Sequence, residues 1–211
     1  MSKPRPVFDA ASLSQKLRER PRERWEIEGF RESAVLLPLV LPSTEIETVQ
    51  PTEPEVLFIV RTASMPTHAG QVAFPGGKRE VSDHSLDHTA LRETQEELGI
   101  LAEQVELLGQ LDDMPTPMGF NITPVVGLVR GPLLLTPNQG EVADTFTVPL
   151  FELPGRYREA GKAEWKGHLY TMHEFVHPKY RIWGATAAMM LQLLFLLDLV
   201  PHPGRAPLSL R

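Results

Sequence analysis

Glu93, Glu96 and Glu97 crowd one short segment, Leu86 to Leu98 (LDHTALRETQEEL). The segment is rich in strong helix formers. Ser82, Asp83 and Ser85 are candidate N-caps, and Gly99 follows the last periodic residue, where a left-handed C-terminal cap belongs. On a wheel of about 100° per residue, Leu86, Ala90, Leu91, Thr94 and Leu98 form an apolar arc. Glu93 and Glu97 lie at the edge of that arc one turn apart, and Glu96 neighbours Glu93 at i+3. Like charges at these spacings oppose helix formation by roughly a few tenths of a kcal/mol per pair, and burial at the edge of the arc adds to the penalty. A divalent cation would remove both penalties, and hard carboxylate oxygens suit Mg²⁺ or Mn²⁺ better than zinc. Arg92 reaches Glu96 at i+4. Taken alone, such a cluster is more often a solvated acidic face; the surrounding residues reverse that balance.

Arg92-Glu93-Thr94-Gln95-Glu96-Glu97-Leu98-Gly99-Ile100 resembles the second half of the Nudix box, a match too specific for chance. The first half departs from the pattern. Counted from Gly77, Asp83 stands where glutamate is usual, and eight residues rather than seven separate it from Arg92. Counted back from Arg92, His84 fills that slot. Thr94 replaces an aliphatic residue. Upstream, Arg61-Thr62-Ala63-Ser64-Met65-Pro66-Thr67-His68-Ala69-Gly70-Gln71-Val72-Ala73-Phe74-Pro75-Gly76-Gly77 resembles the signature of the coenzyme A pyrophosphatase subgroup, in which a box one residue longer also occurs. Pro66 replaces a basic residue of that signature. Ile182 to Ala187 is similar to a further segment of the subgroup, so the likeness runs from about residue 33 to 199.

The resemblance implies a Mg²⁺- or Mn²⁺-dependent hydrolase that cleaves the diphosphate of coenzyme A to adenosine 3′,5′-bisphosphate and 4′-phosphopantetheine. It implies Glu93 and Glu97 as metal ligands, Glu96 as a further or water-mediated ligand, and the Gly76 carbonyl as another. The general base is a box glutamate or an acidic residue from a distant loop, with Glu141 the distant candidate. Arg92 orients the glutamates. Arg61, His68, Gln71 and Gly77 are the expected substrate contacts, and Lys78 and Arg79 would add positive potential. Two other readings stay open: a Nudix pyrophosphatase for ADP-ribose or a dinucleotide, and a non-catalytic nucleotide-binding Nudix module. His84 and His88 beside Asp83 and Asp87 have zinc-like spacing but no further ligands, so they read as surface histidines. Trp165, Tyr170, Phe175 and Tyr180 read as packing aromatics.

These groups need a scaffold. With 42% hydrophobic residues the 211-residue chain can bury a sizeable core. It has no cysteine, which excludes disulfides and thiolate chemistry. The net charge of −6 argues against sequence-independent nucleic-acid binding. No secretory signal pattern is visible, and a cytoplasmic enzyme, monomer or homodimer, is expected. Ile182 to Leu197 is apolar but short and interrupted by Thr186 and Gln192, and reads as a buried helix rather than a membrane span.

Leu13 and Leu17 predict a short amphipathic helix within 8–22. Strands are predicted over Ala34–Leu41 (with Pro38 at an edge or bulge), Val56–Arg61, Gln71–Phe74, Val105–Leu111, Ile122–Arg130, Phe146–Val148 and Leu169–Phe175. Pro75-Gly76-Gly77 predicts a tight exposed turn, Thr44–Pro54 a loop, and Ile182 to Val200 a helix. The order of elements predicts one α/β (α+β) domain, a Nudix-type α/β/α sandwich with a mixed sheet between helices. The expected division is a helical extension over 1–32, the hydrolase domain over 33–200 and a loosely ordered tail over 201–211.

Overall fold

The computed structural model describes residues 7–41, 53–63, 70–130, 133–165 and 167–201. The expected tail beyond residue 201 and most of the Thr44–Pro54 loop lie outside them, as does His68. In chain order the elements are α1 (Ala10–Glu19), β1 (Arg31–Val40), β2 (Glu55–Arg61), β3 (Val72–Ala73), β4 (Gly76–Lys78), α2 (Leu86–Leu98), β5 (Val105–Gln110), β6 (Met114–Pro115), β7 (Phe120–Val129), β8 (Val142–Pro149), α3 (Leu153–Arg156), β9 (Tyr157–Trp165), β10 (His168–Val176), β11 (Arg181–Trp183) and α4 (Gly184–Leu196).

β1 is the centre of a mixed sheet. It runs parallel to β7 over its whole length and antiparallel to β2 and β4, while β5 and β6 pair with β7, and β3 and β8 with β2. Covered on both faces, β1 reads as a continuous apolar run, not as alternation. Ala34 and Leu36 pack with Ala90 of α2 and Val125. Leu37 and Leu39 face the main core, which takes Leu13 and Leu17 from α1 and Ala187, Met190, Leu193 and Leu194 from α4. The result is a sheet between helices, the expected α/β/α arrangement. A second, three-stranded antiparallel sheet, β9–β10–β11, contributes Phe175 and Ile182 to the same core.

The sheet splits beside β1. β2 pairs with β1 only at Leu39 and Val40, whereas β4 pairs at Ser33 to Val35. Pro38 falls in the interval. The Leu36 N–H points to this side, donating to the Pro75 carbonyl at 2.8 Å, and residue 38 has the same parity. The missing proline N–H therefore costs no ladder bond. This corrects the expectation of an edge or a bulge. The expected turn at Pro75-Gly76-Gly77 is corrected too, because Gly76 to Lys78 form a strand. Gly76 has φ +154°, and a Cβ there would lie 2.3 Å from the Ala34 carbonyl oxygen, so the close approach to β1 requires glycine.

The C-terminal helix begins at Gly184, two residues later than expected, because Ile182 and Trp183 pair with β10. Met190, Leu193 and Leu194 of that helix are fully buried in the core. Among the described residues no helix is long and apolar enough to cross a membrane.

Candidate active site

The split in the sheet is where α2 meets the strands. Gly76, freed from pairing on its outer side, donates its N–H to Glu97 Oε2 at 2.9 Å. Glu97 is 2% exposed, and burial pushes its carboxyl up to about 8, against the pull of the Gly76 N–H and Arg61 and with the push of Glu93 and Glu141. Glu93 is raised as well, first by burial; Arg92 opposes the shift, while Glu96 and Glu141 add to it. Glu96 is exposed and touches Arg92 at 3.3 Å. Two crowded carboxylates facing a sheet edge thus carry an electrostatic penalty that a cation would relieve.

The ends of α2 are defined locally. Ser85, not Ser82 or Asp83, is the N-cap and accepts from His88 N at 3.1 Å, while Gly99 closes the helix at φ 73°. Asp83 has a different task. Its buried carboxylate accepts from Glu80 N, from Thr89 Oγ1, and from Arg92 Nε and Nη2 at 3.0 and 3.1 Å. The Arg92 guanidinium holds Asp83 well below the usual carboxylate range. Arg92 then bonds the Lys78 carbonyl at 3.0 Å and Glu93 Oε1 at 2.9 Å. One arginine therefore ties the loop before the helix, strand β4 and two glutamates together. Gly77 lies flush against this group: a Cβ there would come within 2.3 Å of the Glu93 carboxylate.

Glu141 reaches the cluster through the far end of α2. The Glu97 and Leu98 carbonyls have no partner within the helix. They accept from Asn138 N and Thr136 N, both at 2.9 Å, which docks the loop before β8 onto the helix end. Asn138 then accepts from Glu141 N, and the Glu141 carbonyl accepts from Thr62 N next to Arg61. The Glu141 charge acts on both Glu93 and Glu97. Arg61, at the end of β2, acts on Glu97, and its buried Nε has no partner among the described residues. Gln71 is tied to the same strand end, its carbonyl accepting from Arg61 N at 3.0 Å.

Of the residues expected from sequence, Arg61, Gln71, Gly76, Gly77, Arg92, Glu93, Glu96, Glu97 and Glu141 are thus gathered about one edge. Sequence reasoning missed Asp83 as the anchor of Arg92. The signal for it was its place in the box counted from Gly77. His84 is exposed, but His88 is more than a surface group, with Nδ1 2.9 Å from Asp83 Oδ1. Trp165, Tyr170, Phe175 and Tyr180 do pack: Phe175 is fully buried, Tyr180 stacks on Phe146 at 4.8 Å, and Trp165 lies 6.0 Å from Tyr170.

Among the described residues no three imidazole or carboxylate groups converge as a finished chelate. Mg²⁺ keeps several waters and takes one or two protein carboxylates, with substrate phosphates completing its shell. Glu93, Glu97 and the Gly76 carbonyl fit such a partial set.

A sheet split by a glycine strand, with an Arg-Glu-x-x-Glu-Glu helix laid across it, defines a diphosphate hydrolase of the Nudix class. The NUDIX domain family model matches residues 46–183, and the chain belongs to that family. It is 39% identical over 165 residues to the uncharacterised Nudix hydrolase NudL of Pectobacterium atrosepticum, covering 77% of this chain and 81% of that one. The NudL of Citrobacter koseri is 36% identical over 184 residues, covering 86% and 91%. The crystal structure of RenU, a Nudix hydrolase from M. smegmatis, superposes with a TM-score of 0.53 at 21% identity, covering 85% of this chain and 92% of that one, a likeness of fold.

Proposed function

We propose that this pyrophosphohydrolase cleaves the diphosphate of coenzyme A, releasing adenosine 3′,5′-bisphosphate and 4′-phosphopantetheine. The observation that carries the reading is the junction of the Arg61–Gly77 signature with the glutamate helix. The signature delivers Arg61 and the Gly76–Gly77 strand to Glu97 and Glu93. Glu93 and Glu97, with the Gly76 carbonyl, would hold Mg²⁺ or Mn²⁺, and Glu96 would contribute through water. When bound, the ion supplies charge neutralisation for the diphosphate and a water of lowered pKa.

The protein's own groups then divide the work. Water oxygen attacks one phosphorus, the bridging P–O bond breaks, and the water proton passes to a carboxylate. Glu141, whose charge bears on both Glu93 and Glu97, would take that role. Arg92, anchored by Asp83, holds Glu93 and Glu96 in place. Arg61, His68 and Gln71 would meet the phosphates, the planar guanidinium being suited to two oxygens at once.

The test is a product assay with Mg²⁺ or Mn²⁺ against coenzyme A, ADP-ribose and a dinucleoside polyphosphate. The expected result is preferential release of adenosine 3′,5′-bisphosphate from coenzyme A. Equal or faster cleavage of ADP-ribose would overturn the substrate assignment and leave the chemistry standing.

A further inference from the structure

β2 and β8 pair in regular antiparallel register from Glu55 opposite Pro149 to Val60 opposite Asp144. The register then shifts. Arg61 stands opposite Val142, which leaves Ala143 without a residue across from it. A bulge of this kind frees the residues beyond it from the ladder and re-aims their side chains. Glu141 lies just past the bulge. The strand pairing therefore does not set its direction; the loop before β8 does.

Two residues hold that loop. Asn138 is exposed, yet its groups are committed. Its N–H donates to the Glu97 carbonyl at 2.9 Å, and its carbonyl accepts from Glu141 N at 2.9 Å and from Val142 N at 2.8 Å. Its side-chain Oδ1 accepts from Gly140 N at 3.0 Å, the bond of an Asx turn. The turn is closed tightly, since a Cβ on Gly140 would lie 3.2 Å from that oxygen. Thr62 grips the same residues from the strand side. It is 9% exposed and directly follows Arg61. Its Oγ1 donates to the Gly140 carbonyl at 3.0 Å, and its N–H to the Glu141 carbonyl at 2.9 Å. Both backbone N–H groups and both carbonyls of Gly140 and Glu141 are thus engaged by Asn138 and Thr62. Pinning an exposed loop so fully costs backbone entropy, and the residue it fixes is the carboxylate whose charge bears on Glu93 and Glu97.

We infer that Asn138 and Thr62 are positioning residues for the hydrolysis: they fix Glu141 relative to Glu97 on one side and to Arg61 on the other. This deepens the reading of Glu141 as the group that takes the water proton, and rests on it. Neither residue is asked to touch the substrate or the ion; both act through Glu141. One hydrogen bond leads from the Glu97 backbone to Asn138, and a second leads on to Glu141. The ligand helix and the proton acceptor therefore move as one body. The distance from acceptor to attacking water is kept while the loop fluctuates, and rate is steeply sensitive to such distances.

The test is a double-mutant cycle on kcat. It is run on whichever diphosphate the wild type cleaves, coenzyme A, ADP-ribose or a dinucleoside polyphosphate, so an error in the substrate leaves it intact. Asn138→Ala removes the side-chain bond to Gly140 at an exposed position and keeps the backbone bonds. It is expected to lower kcat roughly tenfold, with KM and Mn²⁺ affinity within about twofold of the wild type. Asn138→Ser, which leaves an oxygen for the Gly140 N–H, is expected to recover most of the loss. Thr62→Val keeps the shape, removes the hydroxyl donor and is expected to lower kcat severalfold, with Thr62→Ser restoring it. In a Glu141→Gln background neither Asn138→Ala nor Thr62→Val should lower kcat further. A loss of the same size in that background would overturn the inference. So would a kcat untouched by Asn138→Ala and Thr62→Val while Glu141→Gln is impaired. A Glu141→Gln enzyme that turns over as the wild type does would instead remove the reading of Glu141 as proton acceptor, and the inference with it.

Discussion

Glu97 has conflicting demands placed on it. Burial against the sheet favours its neutral form, whereas the proposed metal-ligand role needs the carboxylate. Its folded pKa, pushed up to about 8, lies above the ordinary 4.5, so the neutral carboxyl contributes stability that is lost as pH rises toward 8. In chelator the wild-type melting temperature should therefore fall between about pH 5 and 8. Glu97→Gln should flatten that dependence, and Mg²⁺ should offset the loss for the wild type alone. A metal-free melting temperature rising over this range would contradict the assignment. Asp83 has the opposite sign. Its depressed pKa contributes stability present above the ordinary carboxylate value and lost as pH falls through the folded value. Asp83→Ala should cost about 3 kcal/mol in urea unfolding at neutral pH by stranding Arg92; a loss below about 0.5 kcal/mol would show that the buried contact is not a structural anchor.

Among the elements, α2 was the most legible in the sequence: its period and Gly99 located it, and only the choice of cap among Ser82, Asp83 and Ser85 stayed open. β9 was not legible. From Arg158 to Glu164 every residue is exposed, so no face alternates, and the strand exists because β10 pairs with it. β4 was hidden because two glycines and a proline signal a turn; only the close approach of β1 makes them a strand. Glu141 was a candidate from sequence, but what brings its loop to the glutamates was hidden, since helix-end carbonyls find Asn138 and Thr136 across the fold. The glycine strand yields a prediction of its own. Gly77→Ala places a methyl within 2.3 Å of the Glu93 carboxylate, a flexible group that can swing aside. The variant should keep its fold by circular dichroism while kcat falls on the order of tenfold or more. Unchanged kcat would mean that the Glu93 position is not critical.

For the molecule as a whole, the N-terminal segment belongs energetically to the same body. It lies outside the family match, yet Leu13 and Leu17 are buried in the main core, Arg20 pairs with Asp112, and Arg22 pairs with Asp113. Burial of such a leucine contributes about 2 kcal/mol, and deleting it leaves a cavity besides. Leu13→Ala should lower stability by about 3 kcal/mol in one cooperative transition. Two separate transitions would instead make α1 an independent appendage. The overall class, a sheet between helices, was legible because the apolar runs and amphipathic segments alternate along the chain. The second sheet was legible only in part: Leu169 to Phe175 reads as a strand, whereas β9 has no pattern of its own and is defined by its pairing with β10.

Coenzyme A hydrolysis measured beside Mn²⁺ binding by electron paramagnetic resonance, for the wild type, Glu93→Gln and Glu97→Gln, tests the metal-dependent site as a whole. Both variants are expected to stay folded, lose Mn²⁺ affinity and fall in kcat by at least about 100-fold, while the wild type releases adenosine 3′,5′-bisphosphate. A Glu97→Gln enzyme that binds Mn²⁺ and turns over as the wild type does would contradict the metal-ligand assignment.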